Sequence, residues 1–340
     1  MTLAAIEPLA IAMGDPAGVG PEIIAKAWKA RELHSLAAFF AVGDIRAIER
    51  VWNGPVARID TPADAAQRFA DALPVFSVAD AGEITPGQPD GDGARCALQS
   101  LELAVGLTRS GAAGALVTGP IAKHQMYDIG FAHPGQTEFI AERCGIAREN
   151  TVMMLAGPTL RVVPITTHVP LHVVPELLTV ELILSKARAT ARGLWRNFAI
   201  EKPRLAFAGL NPHAGENGAI GREEIEIIAP AVRQLQSEGV DAVGPFASDT
   251  MFHPRARAAF DVALCPYHDQ ALIPLKTLHF DDGVNITLGL PIVRTSPDHG
   301  TAFGIAGKDS ANPGAMIAAI RMAACAARRR VELGGGPFGE

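Results

Sequence analysis

Short apolar runs alternate along the chain with longer segments in which apolar residues recur at helical spacing. The apolar runs predict buried strands, at 9–13, 39–42, 115–118, 161–166, 205–210 and 262–266. The periodic segments predict helices, among them 94–110, 180–197, 222–237 and 313–330. This alternation is typical of a layered α/β protein with a largely parallel sheet. The 340 residues exceed what one core usually serves, roughly 250 to 300 residues, so we expect two lobes.

Composition and charge narrow the class of protein. A formal charge of −6 and 6% aromatic residues argue against nucleic acid as a partner. The sequence shows neither an apolar stretch long enough for a membrane span nor a signal peptide at its start, so we expect a cytoplasmic protein without membrane contact. Four cysteines lie far apart without a CxxC pair and predict buried packing residues instead of disulfides. Small-molecule chemistry is the expectation that remains.

Three histidines follow predicted strands: His168, His213 and His268. Open α/β sheets bind ligands at the carboxyl ends of their strands. Neutral imidazoles suit a divalent metal, and three protein ligands leave positions open for substrate oxygens. Their spacing matches no compact metal signature. For any one histidine taken alone, a strand-end cap or a hydrogen bond to a backbone carbonyl is the favoured interpretation. Their common placement favours a metal site.

Acidic and cationic residues in the same region are further candidates. Asp249 and Asp269 suit catalytic roles, orienting an imidazole or contacting substrate, although an Asp at a helix start is also a routine cap. Lys276, Asn285 and Arg294 suit a phosphate or carboxylate group, against the alternative that each is an ordinary surface residue.

Glycine-rich segments offer places for an anion or a cofactor. Residues 14–22 join the first strand to the first helix, where free N–H groups can meet an anion, although a structural turn explains them nearly as well. No Rossmann fingerprint occurs in the chain. The segment 298–308 is the better cofactor candidate.

Five motifs stand in order along the chain: MGDPAGVGPE at 13–22, VTGPIAK at 117–123, GLNPHAGE at 209–216, YHDQ at 267–270 and DHGTA at 298–302. Through these motifs the chain resembles, over nearly its whole length, the 4-hydroxythreonine-4-phosphate dehydrogenase family of vitamin B6 biosynthesis. The resemblance implies a two-lobed α/β/α sandwich like that of isocitrate and isopropylmalate dehydrogenases, with the active site in the interdomain cleft. We expect a first, cofactor-side lobe at 1–130 plus 300–340, and a second lobe at 131–299 that carries metal and substrate ligands and dimerises.

The resemblance also assigns roles. It implies a homodimer whose active site is completed by the neighbouring subunit, and one divalent metal (zinc, magnesium or cobalt) on His168, His213 and His268. It implies NAD or NADP as oxidant, with cofactor contacts from His299, Gly300, Thr301, Ala302 and Gly307. Substrate contacts carry over to Thr137, Lys276, Asn285 and Arg294. The implied reaction oxidises 4-phosphohydroxy-L-threonine to a β-keto acid, which decarboxylates to 3-amino-2-oxopropyl phosphate.

One position departs from the family. Where the family motif reads Gly-His-Thr-Glu, with a histidine that contacts substrate, this chain has Gln136 between Gly135 and Thr137. The resemblance implies that Gln136 is a substrate contact, and an amide can donate a hydrogen bond but carries no charge near neutral pH. Two alternatives therefore stay open. The first is a catabolic paralogue acting on another acidic diol, such as the carboxylated cis-dihydrodiol from terephthalate or a phosphorylated sugar acid. The second is a non-catalytic anion-binding protein, against which the three histidines count.

Overall fold

The computed structural model describes residues 4–78 and 80–334, so the end of the predicted first lobe, 335–340, lies outside the described residues. The strands are β1 Leu9–Ala12, β2 Phe39–Gly43, β3 Val56–Ile59, β4 Leu73–Ser77, β5 Leu116–Thr118, β6 Val152–Ala156, β7 Arg161–Pro164, β8 Leu205–Ala208, β9 Ala242–Phe246, β10 Val262–Cys265, β11 Val284–Leu288 and β12 Arg294–Pro297. The helices are α1 Gly20–Lys29, α2 Ile45–Glu49, α3 Asp64–Arg68, α4 Gly91–Arg109, α5 Lys123–Asp128, α6 Gln136–Arg143, α7 Val174–Leu177, α8 Val180–Phe198, α9 Ala229–Ser237, α10 Pro254–Arg257, α11 His268–Leu278 and α12 Gly314–Glu332. Each predicted strand and helix is present, with ends shifted by a few residues.

The chain forms two compact units, Met1–Gly145 with Leu290–Glu340, and Ile146–Gly289. These limits differ from the predicted ones, which fell at 130 and 299. The difference arises because α6 is tied to α4 by the Arg143–Glu102 ion pair at 2.7 Å, and β12 pairs with β5. Gln136, Thr137 and Arg294 therefore belong to the first unit, not to the second as expected.

The first unit contains a parallel sheet in the order β3-β4-β2-β1-β5-β12. Its central strands are fully buried, which explains why they read as continuous apolar runs. Helix α4 begins at a cap in which the Asp90 carboxylate accepts a hydrogen bond from the backbone N–H of Gly93 at 2.7 Å. Helix α12 packs against β12, where the Thr295 hydroxyl donates to the carbonyl of Ala319 at 2.9 Å.

The second unit contains a mixed sheet in the order β11-β6-β7-β10-β8-β9. Strands β7, β10, β8 and β9 run parallel, whereas β6 pairs antiparallel with both β7 and β11. The pairings are largely parallel, as predicted, and β6 with its two neighbours forms an antiparallel exception that the sequence did not indicate. The short connection between β6 and β7 leaves room only for a hairpin, and hairpins are antiparallel.

Helix α11 is anchored by the core of the second unit. Its residues Ala271, Leu272 and Leu275 are buried among side chains of β7, β8 and β10. This packing fixes the direction of the helix and hence the position of its first residue, His268.

The burial of the cysteines and the apolar character of the helices bear on two of the predictions. All four cysteines are free, and Cys96 and Cys265 are buried as predicted. Cys144 is partly exposed. Cys325 is exposed, so the prediction of burial is wrong for this residue. Across residues 4–78 and 80–334, no helix combines the length and apolar character that crossing a membrane requires.

Candidate active site

Three neighbouring parallel strands of the second unit end just before the three histidines. His168 follows β7, His268 follows β10 and His213 follows β8, and these strands are adjacent in the order β7-β10-β8. Adjacent strands lie about 4.8 Å apart, so side chains beyond their carboxyl ends start close together. The predicted placement of the histidines at strand ends is present in the structure.

His168 and His268 lie against each other. Their ring centroids are 5.5 Å apart, and both rings line a cavity of about 240 Å³ that also borders Val169 and Leu171. His268 Nδ1 is hydrogen bonded to the Asp269 carboxylate at 2.7 Å. A histidine that donates Nδ1–H to a carboxylate presents the lone pair of Nε2, as metal-binding histidines commonly do. The donor chemistry of this pair therefore fits a divalent metal.

His213 is placed differently from the other two histidines. It is exposed and lies in the turn Pro212–Gly218, where residues 213–217 all have positive φ, from 44° to 78°. Among the described residues no group of three or more His, Cys, Asp or Glu side chains is arranged to hold a metal ion. A single chain thus brings His168 and His268 together, and the three-histidine metal site stays a prediction.

The two predicted catalytic aspartates lie beside different histidines. Asp269 is bonded to His268, as described above, and its side chain is 71% exposed. Asp249 is exposed in the turn Ser248–Thr250, which contacts the His213 turn. Each aspartate therefore lies beside a histidine-bearing segment.

Arg294 is a buried cation in the first unit. Its side chain donates to the hydroxyl of Thr118 at 2.8 Å and to that of Thr137 at 3.4 Å. Burial lowers the pKa of Arg294 to about 10, and the nearby Glu138 carboxylate partly offsets this effect. The guanidinium stays protonated at neutral pH, and its environment favours the arrival of an anion.

Gln136 directly precedes Thr137, which contacts Arg294. The Nε2 atom of Gln136 donates to the carbonyl of Gly119 at 2.9 Å, which orients the amide, while Oε1 is buried and has no hydrogen-bond partner. In the second unit the Oδ1 atom of Asn285 is likewise buried without a partner. Buried polar atoms of this kind commonly mark a missing ligand or water.

Lys276 lies on the same helix as one of the histidines. It is partly exposed on α11, eight residues after His268. At 1.5 Å per residue this separation is about 12 Å along the helix axis. Among the predicted substrate residues, Lys276 and Asn285 belong to the second unit. The other three, Gln136, Thr137 and Arg294, belong to the first.

The predicted cofactor segment rests on the glycine turn of the first unit. The carbonyl of Thr301 accepts a hydrogen bond from Val19 N at 2.9 Å, and a Cβ on Gly18 would lie 3.1 Å from the same oxygen. Ala302 and Gly307 have positive φ, of 46° and 71°. The segment is exposed at Ala302 and Gly307, so its backbone is accessible.

The remaining predicted cofactor residues are His299 and Gly300. His299 Nδ1 lies 3.0 Å from the carbonyl of Gly300, and both residues are exposed. Below this segment, burial raises the pKa of Asp15 to about 6; the charge of Asp90 adds to this effect, and a hydrogen bond from Ala17 N opposes it.

Sequence reasoning missed several residues that shape these sites. Thr118 contacts Arg294, and the Gln270 amide donates to the carbonyl of Gly209 at 2.8 Å. Glu224 is buried and accepts two hydrogen bonds from Asn211. Thr118 and Asn211 stand inside motifs noted above, but no spacing in the sequence links Asn211 to Glu224.

With this geometry in hand, the chain can be compared with known proteins. A family model described as "Pyridoxal phosphate biosynthetic protein PdxA" matches residues 35–323. The chain belongs to the PdxA family. Within the PdxA family it is 58% identical over 325 residues to 4-hydroxythreonine-4-phosphate dehydrogenase of Zymomonas mobilis, covering 96% of this chain and 97% of the relative.

Solved structures agree with the PdxA assignment. A 4-hydroxythreonine-4-phosphate dehydrogenase from Klebsiella pneumoniae superimposes with a TM-score of 0.84 at 36% identity, over 94% of this chain and 99% of that one. A terephthalate 1,2-cis-dihydrodiol dehydrogenase from Burkholderia xenovorans gives a TM-score of 0.66 at 28% identity, over 94% and 98%. The predicted family resemblance and the α/β fold class are confirmed.

Proposed function

We propose that this protein is a metal-dependent 4-hydroxythreonine-4-phosphate dehydrogenase that serves pyridoxal phosphate biosynthesis. The observation that carries the proposal is the 58% identity, over 96% of the chain, to a relative of that name. In the proposed reaction the hydroxyl beside the amino-bearing carbon is oxidised to a ketone, and two electrons and a proton pass to NAD or NADP as hydride. The β-keto acid then loses carbon dioxide and leaves 3-amino-2-oxopropyl phosphate.

The metal is proposed to bind at His168, His213 and His268. A bound divalent ion would act as a Lewis acid, which favours both loss of hydride from an alkoxide and decarboxylation of the ketone. Asp269 holds the tautomer of His268 through the 2.7 Å hydrogen bond, and this is its proposed role. Asp249, beside the His213 turn, is a second candidate for orienting a ligand or moving a proton.

The anionic group of the substrate is proposed to bind Arg294 and Thr137. A buried guanidinium whose pKa is lowered gains most from a phosphate, which restores its electrostatic stabilisation and accepts its fork of N–H donors. Gln136 holds the neighbouring backbone through Gly119, and Lys276 and Asn285 are the proposed substrate contacts of the second unit.

The nicotinamide cofactor is proposed to contact His299, Gly300, Thr301, Ala302 and Gly307. Support comes from the exposed backbone of this segment and from its attachment to the glycine turn through Thr301. The proposal covers NAD and NADP alike.

A homodimer is proposed as the working unit. His168 and His268 meet within one chain, whereas His213 is exposed outside this pair. Beside the pair, the Leu171 and Val169 side chains are 65% and 36% exposed, and Ile273 on α11 is 64% exposed. A second copy covering these apolar side chains would bury them and supply the remaining ligand.

A cis-dihydrodiol from terephthalate is the second candidate substrate, since a solved relative of 28% identity carries that activity in its name. The two candidates are separated by incubating the protein with Co²⁺ and NAD or NADP and following reduced-nicotinamide absorbance with each substrate. Turnover of the phosphorylated amino acid alone supports the proposal. Turnover of the diol alone contradicts it, and no turnover of either leaves the anion-binding alternative.

A further inference from the structure

The turn that carries His213 has an unusual backbone. Residues 213–217 all have positive φ, and only Gly215 among them lacks a side chain. A left-handed conformation costs an L-residue roughly 1–2 kcal/mol. Four non-glycine residues within a run of five positive-φ residues persist only if surrounding contacts hold the turn.

A buried carboxylate supplies those contacts. Glu224 is 3% exposed, its Oε1 accepts from Asn211 N at 2.7 Å, and its Oε2 accepts from Asn211 Nδ2 at 3.0 Å. The neighbouring Glu223 carboxylate also accepts from Asn211 Nδ2, at 2.6 Å. Asn211 directly precedes the turn, so these bonds fix the point at which the chain enters it.

Glycines make this approach possible. A Cβ on Gly215 would lie 2.5 Å from Glu224 Oε2, and one on Gly221 would lie 2.2 Å from Asn211 Nδ2. A Cβ on Gly209, at the end of β8, would lie 3.1 Å from Glu224 Oε1. The carboxylate therefore lies directly against the turn and against the strand end from which the turn starts.

The helical segment that carries Glu224 has an unusual geometry. Glu224 begins the π-helical segment Glu224–Ile228, which continues into α9. Single π-helical turns are rare and are frequent at functional sites. On the other side, Gln270, two residues after His268, donates to the carbonyl of Gly209 at 2.8 Å. The His213 turn and the start of α11 are thus fixed to the same strand end.

We propose that Glu224 is a positioning residue for His213. It acts through Asn211 to hold the left-handed turn in the one conformation that presents the imidazole to the metal, and it does not contact substrate. This inference rests on the proposed function for the identity of the metal site, but the fixing of the turn can be measured without metal.

The test compares Glu224→Gln with Glu226→Gln as the matched control. Glu226 lies two residues further along the same π-helical segment, but its side chain is exposed and pairs with Arg222 on the surface. The E224Q amide places a donor where an acceptor is needed, so one of the two bonds to Asn211 is lost. Asn211→Ala removes both side-chain hydrogen bonds of Asn211, to Glu224 and to Glu223, and keeps the backbone one. It replaces E224Q as the test should E224Q fail to fold.

Two measurements are made on the full-length protein. Amide hydrogen exchange without metal should be faster at 212–218 in E224Q than in wild type and E226Q. Co²⁺ affinity, by equilibrium dialysis, should fall roughly 10- to 100-fold in E224Q, as expected for partners that orient a ligand, with a changed visible spectrum of the bound Co²⁺. Asn211→Ala should show effects in the same direction.

The possible failures differ from one another. A wild-type protein that binds no Co²⁺ contradicts the proposed metal site, whatever its variants do. Wild-type binding together with unchanged exchange, affinity and spectrum in E224Q contradicts the role of Glu224. A lower melting temperature in E224Q with unchanged Co²⁺ affinity and spectrum also overturns the proposal, because it shows a purely structural carboxylate.

Discussion

Replacing Arg294 by Met tests the contribution of this residue to protein stability separately from its contribution to anion binding. Burial lowers the pKa of Arg294 to about 10, and a fall of this size corresponds to roughly 3 kcal/mol of destabilisation by the charged form. Because the side chain is protonated in the folded and unfolded states at all pH values below about 9, this cost does not vary with pH there. Methionine removes the cost but loses the hydrogen bonds to Thr118 and Thr137, each worth roughly 0.5–1.5 kcal/mol.

The two effects largely cancel, so R294M should differ in stability from wild type by no more than about 2 kcal/mol. Urea unfolding at pH 7.5, with and without inorganic phosphate, measures both effects. Phosphate at ten times its Kd should stabilise wild type by about 1.4 kcal/mol and leave R294M unchanged, because only the wild type has the guanidinium that binds the anion.

Arg330→Met is the matched control in the same unit. Arg330 is also buried, but it donates to the backbone carbonyls of Pro291 and Leu290, at 2.6 and 3.4 Å. Its loss leaves carbonyls without donors, so R330M should lose roughly 1–3 kcal/mol and keep the phosphate response. The reasoning is refuted if R294M loses 3 kcal/mol or more, or if phosphate still stabilises it, since either result makes Arg294 a structural residue.

Three further predictions follow from single residues. The pKa of Asp15 is raised to about 6, so its contribution to stability is complete below pH 4 and is lost as the pH rises through 6. In urea unfolding at pH 8, D15N should therefore be more stable than wild type by up to roughly 3 kcal/mol. At pH 4 the two proteins should be equally stable. An equal gain at both pH values would contradict this. Asp269→Ala frees the His268 ring and should weaken Co²⁺ binding roughly 10-fold in equilibrium dialysis, so an unchanged affinity would remove Asp269 from the site. Gln136→His should add an ionisation near pH 6.5 to the pH profile of kcat/KM, because imidazole titrates there and an amide does not; identical profiles would place residue 136 away from the substrate.

The sequence predicted those parts of the fold that depend on local pattern. The buried strands β1, β2, β5, β7, β8 and β10 are continuous apolar runs, and each was located within a few residues. Strands β6 and β11 were missed, and with them the antiparallel edge of the second unit. The pairing between β6 and β11 joins residues more than a hundred positions apart, for example Asn285 and Leu155, and no local pattern encodes such a pairing.

Some features of the candidate site also follow from local sequence pattern, whereas others depend on the fold. Placing His168, His213 and His268 after three strands needed only the apolar runs, whereas the adjacency of those strands needed the sheet order. The burial of Arg294, which changes it from an ordinary cation into an anion receptor, depends on β5, β12 and α6 coming together. The Asn211–Glu224 contact likewise depends on a left-handed turn that no residue pattern announces, since four of its five residues are not glycine.

The most direct test of the proposed function is the stoichiometry of the reaction. Purified protein would be given Co²⁺, NAD or NADP and 4-phosphohydroxy-L-threonine labelled at its carboxyl carbon, and released carbon dioxide would be counted against reduced nicotinamide. The proposal predicts one carbon dioxide for each nicotinamide reduced, and loss of both on chelation of the metal. Reduction without release of carbon dioxide, or turnover that persists in the chelator, would contradict metal-assisted oxidative decarboxylation by this chain.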